Sequence, residues 1–305
     1  MPTPLISPSE RDFITKGVQA NIRADGRARL DYRQIVLETG LISQTSGSAR
    51  CRLGEGTDVL VGVKVEIGQV DVNDGGGGNK GKVFCNVECS PSASQQFEGR
   101  GADELNNELT QALERVLNGA QGGLNLEKLC IIPGQQCWAV YIDAIILDYA
   151  GNLLDAIFIA TRAALFNTRI PKTTVQDLGD GNFEFELLDD IEDAERIEGW
   201  EYVPIGITLN KIGSRYIIDA TPLEELCTEA KLTVAVNRRG HLCGVQKSAD
   251  GGIEPSVLTE MVQAAKSVGL SLIKQLDDQL EKEEAEFNDK RARGESVEKL
   301  GFFAA

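Results

Sequence analysis

Residues 203–236 read VPIGITLNKIGSRYIIDATPLEELCTEAKLTVAV, and the fold is decided here. Ile205, Ile207 and Leu209 alternate with small or polar residues, the period of a strand with one buried face. Gly213-Ser214 supplies a turn, Arg215–Asp219 runs back, and Leu232, Val234 and Val236 alternate again as a third strand. Between the last two strands sits a compact acidic loop with Asp219, Glu224, Glu225 and Glu229, closed by Lys231. Carboxylates gathered at strand ends suit a divalent cation or a general acid. The last position of this cluster is a lysine, a cation that only donates and would repel a metal.

Composition bounds the rest. The 305 residues leave room for one large domain or two ordinary ones. A hydrophobic content of 42% and a mean hydropathy of -0.17 fit a soluble protein with a large core. No apolar run is long enough for a membrane helix, and MPTPLISPSERDF lacks the basic and apolar regions of a secretory leader. The net charge of -16 argues against a stand-alone nucleic-acid binder, though not against a chain lending one basic patch to an assembly. Seven cysteines without a CxxC read as reduced, mostly buried thiols. Cys85 and Cys89, four apart on one strand face, are half a metal site at most. His241, on an apparent strand, is the sole histidine, which discounts histidine triads and multi-histidine zinc sites.

Outward from that stretch, residues 7–20 read as a helix capped by Ser7 or Ser9, with Phe13, Ile14 and Val18 on one side. Arg23-Ala24-Asp25-Gly26-Arg27 reads as an exposed polar turn before a strand at 34–39. Strands follow at 47–53 and 57–67, then a glycine-rich tip at 74–79 and a return strand at 82–89. A helix over 102–117 carries the stripe Leu105, Leu109, Ala112, Leu113 and Val116. The apolar strand 138–147 feeds a helix over 153–167 through Gly151-Asn152, a natural anion site in which Asn152 caps the helix. Residues 177–201 form an acidic run with one base, Arg196, read as a linker or an edge excursion. Strand 242–246 and a helix over 255–287 complete the chain, with Val257, Met261, Ala264, Val268, Leu272 and Leu276 inward and a solvated tail beyond.

Three segments resemble the ribonuclease PH family of phosphorolytic exoribonucleases: R-x-D-G-R at Arg23–Arg27, S-G-S-A-x-x-x-x-G-x-T at Ser46–Thr57, and the stretch quoted above. The resemblance spans nearly the whole chain. It implies an α/β (α+β) ribonuclease PH fold of two duplicated β-α units, ribosomal protein S5 domain 2-like. The expected divisions are an N-terminal helix and arm (1–30), a first half (31–170), an acidic connecting segment (171–201), a second half with the long helix (202–288) and a tail (289–305).

In that family the strand ends in Asp, a Glu-Asp pair follows, and the catalytic Asp comes six residues later. Here the first is Asp219, the pair is Glu224-Glu225, and the catalytic position falls on Lys231. The family's G-G-T-R turn holds the attacking phosphate; here Gly151-Asn152-Leu153 stand there, and leucine donates nothing. Asn152, Leu153, Glu225 and Lys231 are therefore degenerate positions, with no catalytic residue, metal or cofactor implied. The family's arginine-rich helix keeps Arg115, and its turn keeps Arg100; with Lys64 these are the candidate RNA contacts.

The E-E-L-x-x-x-x-K and G-N-L-L-D-A patterns resemble the non-catalytic ring subunits of the eukaryotic RNA exosome. Such a subunit works with other ribonuclease PH-like ring chains, RNA-binding cap subunits and associated 3′→5′ exoribonucleases, with RNA threaded through the pore and no membrane. The work implied is ribosomal and small-RNA 3′ processing, messenger turnover and surveillance, in nucleus, nucleolus and cytoplasm. Two rivals stand against it. An active phosphorolytic exoribonuclease would use Asp219, Glu224 and Glu225, and a protein of another class sharing only the β-α pattern would function as a stable monomer.

Overall fold

The computed structural model describes residues 6–70, 78–119, 121–179, 182–188 and 194–293. Helix α1 (Pro8–Gln19) begins at Ser7, whose hydroxyl accepts from the Glu10 N–H while Glu10 accepts from the Ser7 N–H. Ile14 and Val18 are buried, but Phe13 points to solvent.

The first sheet is built from β1 (Ile35–Thr39), β2 (Gly47–Leu53), β3 (Thr57–Gln69), β4 (Lys82–Cys89), β5 (Cys130–Ile132) and β6 (Gln136–Asp148), with helix α2 (Asp103–Leu117) between β4 and β5. Its order is β1-β2-β3-β6-β4, with β5 on the start of β6. Strand 82–89 is therefore not the return arm of a hairpin with β3. Strand β6 takes that place, and β4 lies beyond it in parallel, Val83 opposite Val140. The long apolar row Trp138, Val140, Ile142, Ala144 and Ile146 is best buried in the interior of a sheet, whereas β4 tolerates an edge. Helix α2 and its C-cap residue cover that edge with polar groups: Thr110 Oγ1 accepts from the Val87 N–H, Asn106 Oδ1 from the Cys89 N–H, and Asn118 Nδ2 donates to the Val83 carbonyl. Most of the glycine-rich tip (residues 71–77) lies outside the described residues.

Helix α3 (Leu153–Asn167) leads to β7 (Arg169–Ile170), β8 (Thr173–Gly179), β9 (Asn182–Leu187) and β10 (Glu195–Arg196). Strands β8 and β9 form a hairpin and β7 pairs with β10, so the acidic run is an edge excursion with its own strands. It is anchored by buried Ile197 and Trp200, the latter edge-on to Phe166 at 4.8 Å. Its acidic centre, 189–193, lies outside the described residues.

The second sheet has the order β12-β11-β13-β14, from β11 (Ile205–Ile212), β12 (Arg215–Ile218), β13 (Ala230–Val236) and β14 (Leu242–Ser248). The expected acidic loop contains helix α4 (Pro222–Cys227), because Thr221 and Glu224 cap each other and Pro222 opens the turn. His241 is exposed in the turn before β14, not on a strand. Helix α5 (Pro255–Ala292) packs on β11 and β13 and buries Met261, Ala265, Leu272, Ile273, Leu276 and Leu280. It runs past Phe287 because its last turns are tied down: Thr39 donates to Glu283, and Arg169 and Arg196 pair with Glu284. Residues 294–305 lie outside the described residues.

Helix α3 lies between the two sheets, against β2 and β3 on one side and β11 on the other. Apart from half-buried Leu154 and Asn167 it is buried all round, which is why its sequence is apolar all round. Gly206 of β11 is required by this packing, since a Cβ there would lie 2.4 Å from Phe158 Cδ2. Arg162, inside the same helix, donates to both Asp277 oxygens of α5 at 2.9 Å, locking the layers together.

Candidate functional site

The chain turns from β6 into α3 against the end of β12. Gly151 has φ +84°, and a Cβ there would sit 2.3 Å from the Ala220 carbonyl, so the turn needs glycine. Asn152 follows in the left-handed region with φ 57°. Its side chain does not cap α3; Nδ2 donates to Asp155 Oδ2 at 3.1 Å and Asp219 Oδ1 at 3.0 Å. Asn152 thus bridges two buried carboxylates from the two halves of the chain. Its own Oδ1 is buried without a hydrogen-bond partner among the described residues.

Each carboxylate is held differently. Asp219 is fully buried and accepts from Arg27 Nη1 at 2.8 Å and from Arg33 N, Nε and Nη2 at 2.8, 2.9 and 2.7 Å. Burial alone would raise its carboxyl, but the Arg33 hydrogen bonds and charge outweigh it and hold the group below its ordinary value. Glu224 is buried against Arg23, which donates Nε at 2.8 Å and Nη2 at 2.5 Å. Arg23 also donates to the carbonyls of Ile218 and Asp219 at 3.0 and 2.8 Å. The Arg23–Arg27 segment is therefore no exposed turn. It is a clamp closing over acids about 200 residues further on, since unpaired carboxylates could not stay buried there.

Asp155, in the first turn of α3, has no cation hydrogen-bonded to it among the described residues. Thr208 Oγ1 and Tyr32 OH donate to it at 2.6 Å each, and the Thr208 N–H at 3.1 Å. Burial pushes its carboxyl up to about 6 despite these bonds. Tyr32 is raised well above the ordinary phenol range, first by burial and then by the Asp155 charge.

Glu225 is the carboxylate left facing the cleft. It accepts from Tyr149 OH at 2.7 Å, from the Asn152 N–H at 3.2 Å and from Lys231 Nζ at 3.2 Å. The cleft is a cavity of about 290 Å³ walled by α2, α3, α4 and β13, with Leu153, Thr208 and Thr233 on its lining. At the mouth of α3, where an incoming anion would meet a backbone N–H, the chain's own Glu225 already sits, neutralised by Lys231. Asn152, Leu153, Glu225 and Lys231 are all brought to this one cleft.

The other candidates are not gathered. Lys64 stands on the outer face of the first sheet, paired with Glu66 at 2.6 Å. Arg100 is in the turn before α2, and Arg115 near its end, lining a small cavity between α2 and β14. Asn106, one of the polar residues standing in the arginine-rich helix of the family, serves the edge of β4 instead. Cys85 and Cys89 point inward, and burial pushes their thiols up to about 12 and about 11. No group of three metal-ligating side chains occurs among the described residues.

Sequence reasoning missed Tyr149, Thr208 and Asp155 and the clamp role of Arg23, Arg27 and Arg33. A signal existed for one of them: Asp155 is the lone acid of LLDAIFIATRAALF, a segment apolar but for it, Thr161 and Arg162, and a buried acid demands partners.

Family models described as 3′ exoribonuclease family, domain 1 and domain 2, match residues 31–171 and 202–268. The chain belongs to the 3′ exoribonuclease family. Its ribonuclease PH-like fold of two sheet-and-helix halves is the one the motifs implied. A Dictyostelium discoideum relative named for exosome complex exonuclease RRP42 is 38% identical, covering 89% of this chain and 97% of its own length. Exosome complex component Rrp42 of Pyrococcus abyssi is 37% identical over 84% of this chain and 89% of its own. A chain of the Archaeoglobus fulgidus exosome, solved with RNA bound to the active site, superposes with a TM-score of 0.72 at 28% identity, covering 88% of this chain and 97% of its own.

Proposed function

We propose that this ribonuclease PH-like chain is a ring subunit of the exosome core that shapes the RNA channel and does not itself cleave. The observation that carries the non-catalytic part is the Glu225–Lys231 pair at the N-terminus of α3. Phosphorolysis needs an inorganic phosphate clamped beside a free carboxylate or metal. Here Glu225 fills the anion's place, Lys231 stands where the family has its catalytic Asp, Leu153 offers no donor, and Asp219 and Glu224 are spent on arginines. In this reading the cleft is a packed remnant. The chain's value lies in its surfaces, which meet other ribonuclease PH-like subunits and RNA-binding cap subunits and pass RNA 3′ ends to associated exoribonucleases.

Ribosomal and small-RNA 3′ processing, messenger turnover and surveillance, in nucleus, nucleolus and cytoplasm, belong to the same proposal. So does RNA contact by Arg100, Arg115 and Lys64, all exposed. The test is purification of the tagged chain from its native source, mass analysis of the particle, and a phosphate-dependent assay on end-labelled RNA. The expected result is a multi-subunit particle with further ribonuclease PH-like chains and no release of nucleoside diphosphate by the isolated chain. Phosphorolysis by the isolated chain, lost on Glu225→Gln, would overturn it.

A further inference from the structure

We propose that Cys130 and Cys137 are a redox site, closing to a reversible cross-strand disulfide when the protein meets a peroxide. The inference is independent of the ring-subunit reading and rests on strand register. Cys130 of β5 and Cys137 of β6 are directly opposite each other in an antiparallel pair. The Trp138 N–H donates to the Leu129 carbonyl at 2.7 Å. That bond joins the residue after one cysteine to the residue before the other, which makes Cys130–Cys137 a non-hydrogen-bonded position. Such pairs bring Cα atoms to about 4.5 Å, with both side chains on the same face. Disulfides span Cα separations of about 4.4–6.8 Å, which that position meets on its regular side, the register shift of β5 falling on the other side, between Cys130 and Ile132. Both thiols are free in the structure.

The two sulfurs differ in access. Cys130 is half-buried and lines an open cavity of about 430 Å³ together with Lys80 and Glu127, whereas Cys137 is fully buried. Cys130 is therefore the thiol a small oxidant reaches, and Cys137 the one that resolves it. The Cys130 thiolate attacks one peroxide oxygen; the O–O bond breaks, hydroxide leaves and is protonated to water, and the sulfur becomes a sulfenic acid. Cys137, losing its proton, attacks that sulfur; the S–S bond forms, the S–O bond breaks, and the departing hydroxide takes up the proton as a second water. Two thiols and one peroxide thus give one disulfide and two waters. Burial holds both thiols above their ordinary range, so little thiolate is present and the reaction is slow at low peroxide.

No other two cysteines stand opposite each other in the strand pairings of the described residues. Cys85 and Cys89 share strand β4, where four residues span about 13 Å. Cys51 faces Leu37 and Val59 across its neighbours. Cys227 is on α4, and Cys243 of β14 runs beside β13, which holds no cysteine.

The test treats the full-length chain with hydrogen peroxide, alkylates the remaining thiols after denaturation, and maps the digest by mass spectrometry without reductant. The expected product is the peptide carrying both cysteines, unalkylated and lighter by two hydrogens, returning to two alkylated thiols after dithiothreitol. In Cys137→Ser, Cys130 should instead be trapped by dimedone as a sulfenic acid; in Cys130→Ser, Cys137 should stay alkylatable. Both thiols remaining alkylatable in the wild-type chain would overturn the proposal. So would Cys130 passing to the sulfinic acid beside a free Cys137, or either sulfur bridging to a different cysteine.

Discussion

Arg33→Met keeps the length of the side chain and deletes its guanidinium. Asp219 then loses the donors at 2.9 and 2.7 Å and keeps the Arg33 N–H, Arg27 Nη1 and Asn152 Nδ2. The carbonyls of Ala150 and Gly151 lose donors at 2.7 and 3.2 Å as well. Breaking a buried ion pair from one side costs about 3–5 kcal/mol. Arg27 still shares the charge, which places the expected loss near the lower end, about 3 kcal/mol. Urea unfolding followed by the fluorescence of Trp138 and Trp200 measures it. The pair term is isolated by Asp219→Asn and the double variant, where the two losses should fall short of adding by about 1.5–3 kcal/mol.

Acid gives a second reading of the same contact. Because the Asp219 carboxyl is held below its ordinary value, its stabilisation is present above the unfolded value, about pH 4, and is lost as pH falls through the folded one. In Arg33→Met the carboxyl moves up, so the deficit against wild type should shrink on acidification. A loss below about 1 kcal/mol, or strictly additive variants, would refute the idea that this pair fastens the N-terminal arm to the second half.

Asp155 carries the opposite sign: raised to about 6, it binds its proton in the folded chain first. Stability should fall between about pH 4 and pH 6 and then level, and Asp155→Asn should abolish that slope in urea midpoints, while its NH2 group, set among four donors, should cost about 1–3 kcal/mol below pH 4. Gly206→Ala drives a Cβ to 2.4 Å from the Phe158 ring and should cost about 1–3 kcal/mol, part of it restored by Phe158→Leu. Asn106→Ala and Thr110→Val strip the edge of β4 and should each cost about 1 kcal/mol, with faster hydrogen exchange at the Cys89 and Val87 amides respectively.

Much of the fold was legible because it is written in local periods. The alternation in 205–209 and 232–236, the apolar strand ending at Asp148 and the helix after Asn152 all lie where the pattern puts them. What local pattern could not carry is partnership. Strand β4 has the same signature beside β3 or beside β6, and the choice between them is made by which strand most needs burial. Arg23–Arg27 is polar and turn-like whether it faces water or clamps two acids, and nothing within those five residues distinguishes the cases. The cleft was read at the level of residue types: Asn152, Leu153, Glu225 and Lys231 do converge. That Glu225 bonds the N-terminus of α3 required the two halves to be seen together.

Helix α3 also sets a timetable for synthesis. It is complete at Asn167, but one of its two covers, β11 and the sheet around it, is finished only at β13 and β14, roughly 70 to 80 residues later. At about 5–20 residues per second the ribosome needs some seconds to deliver them, during which Phe158 and its neighbours have first-sheet contacts on one side and nothing on the other. The nascent chain therefore passes through an interval with a bare apolar helix face. Chaperones that hold such surfaces would find this protein between its halves, and a stall within the acidic excursion would lengthen the exposure.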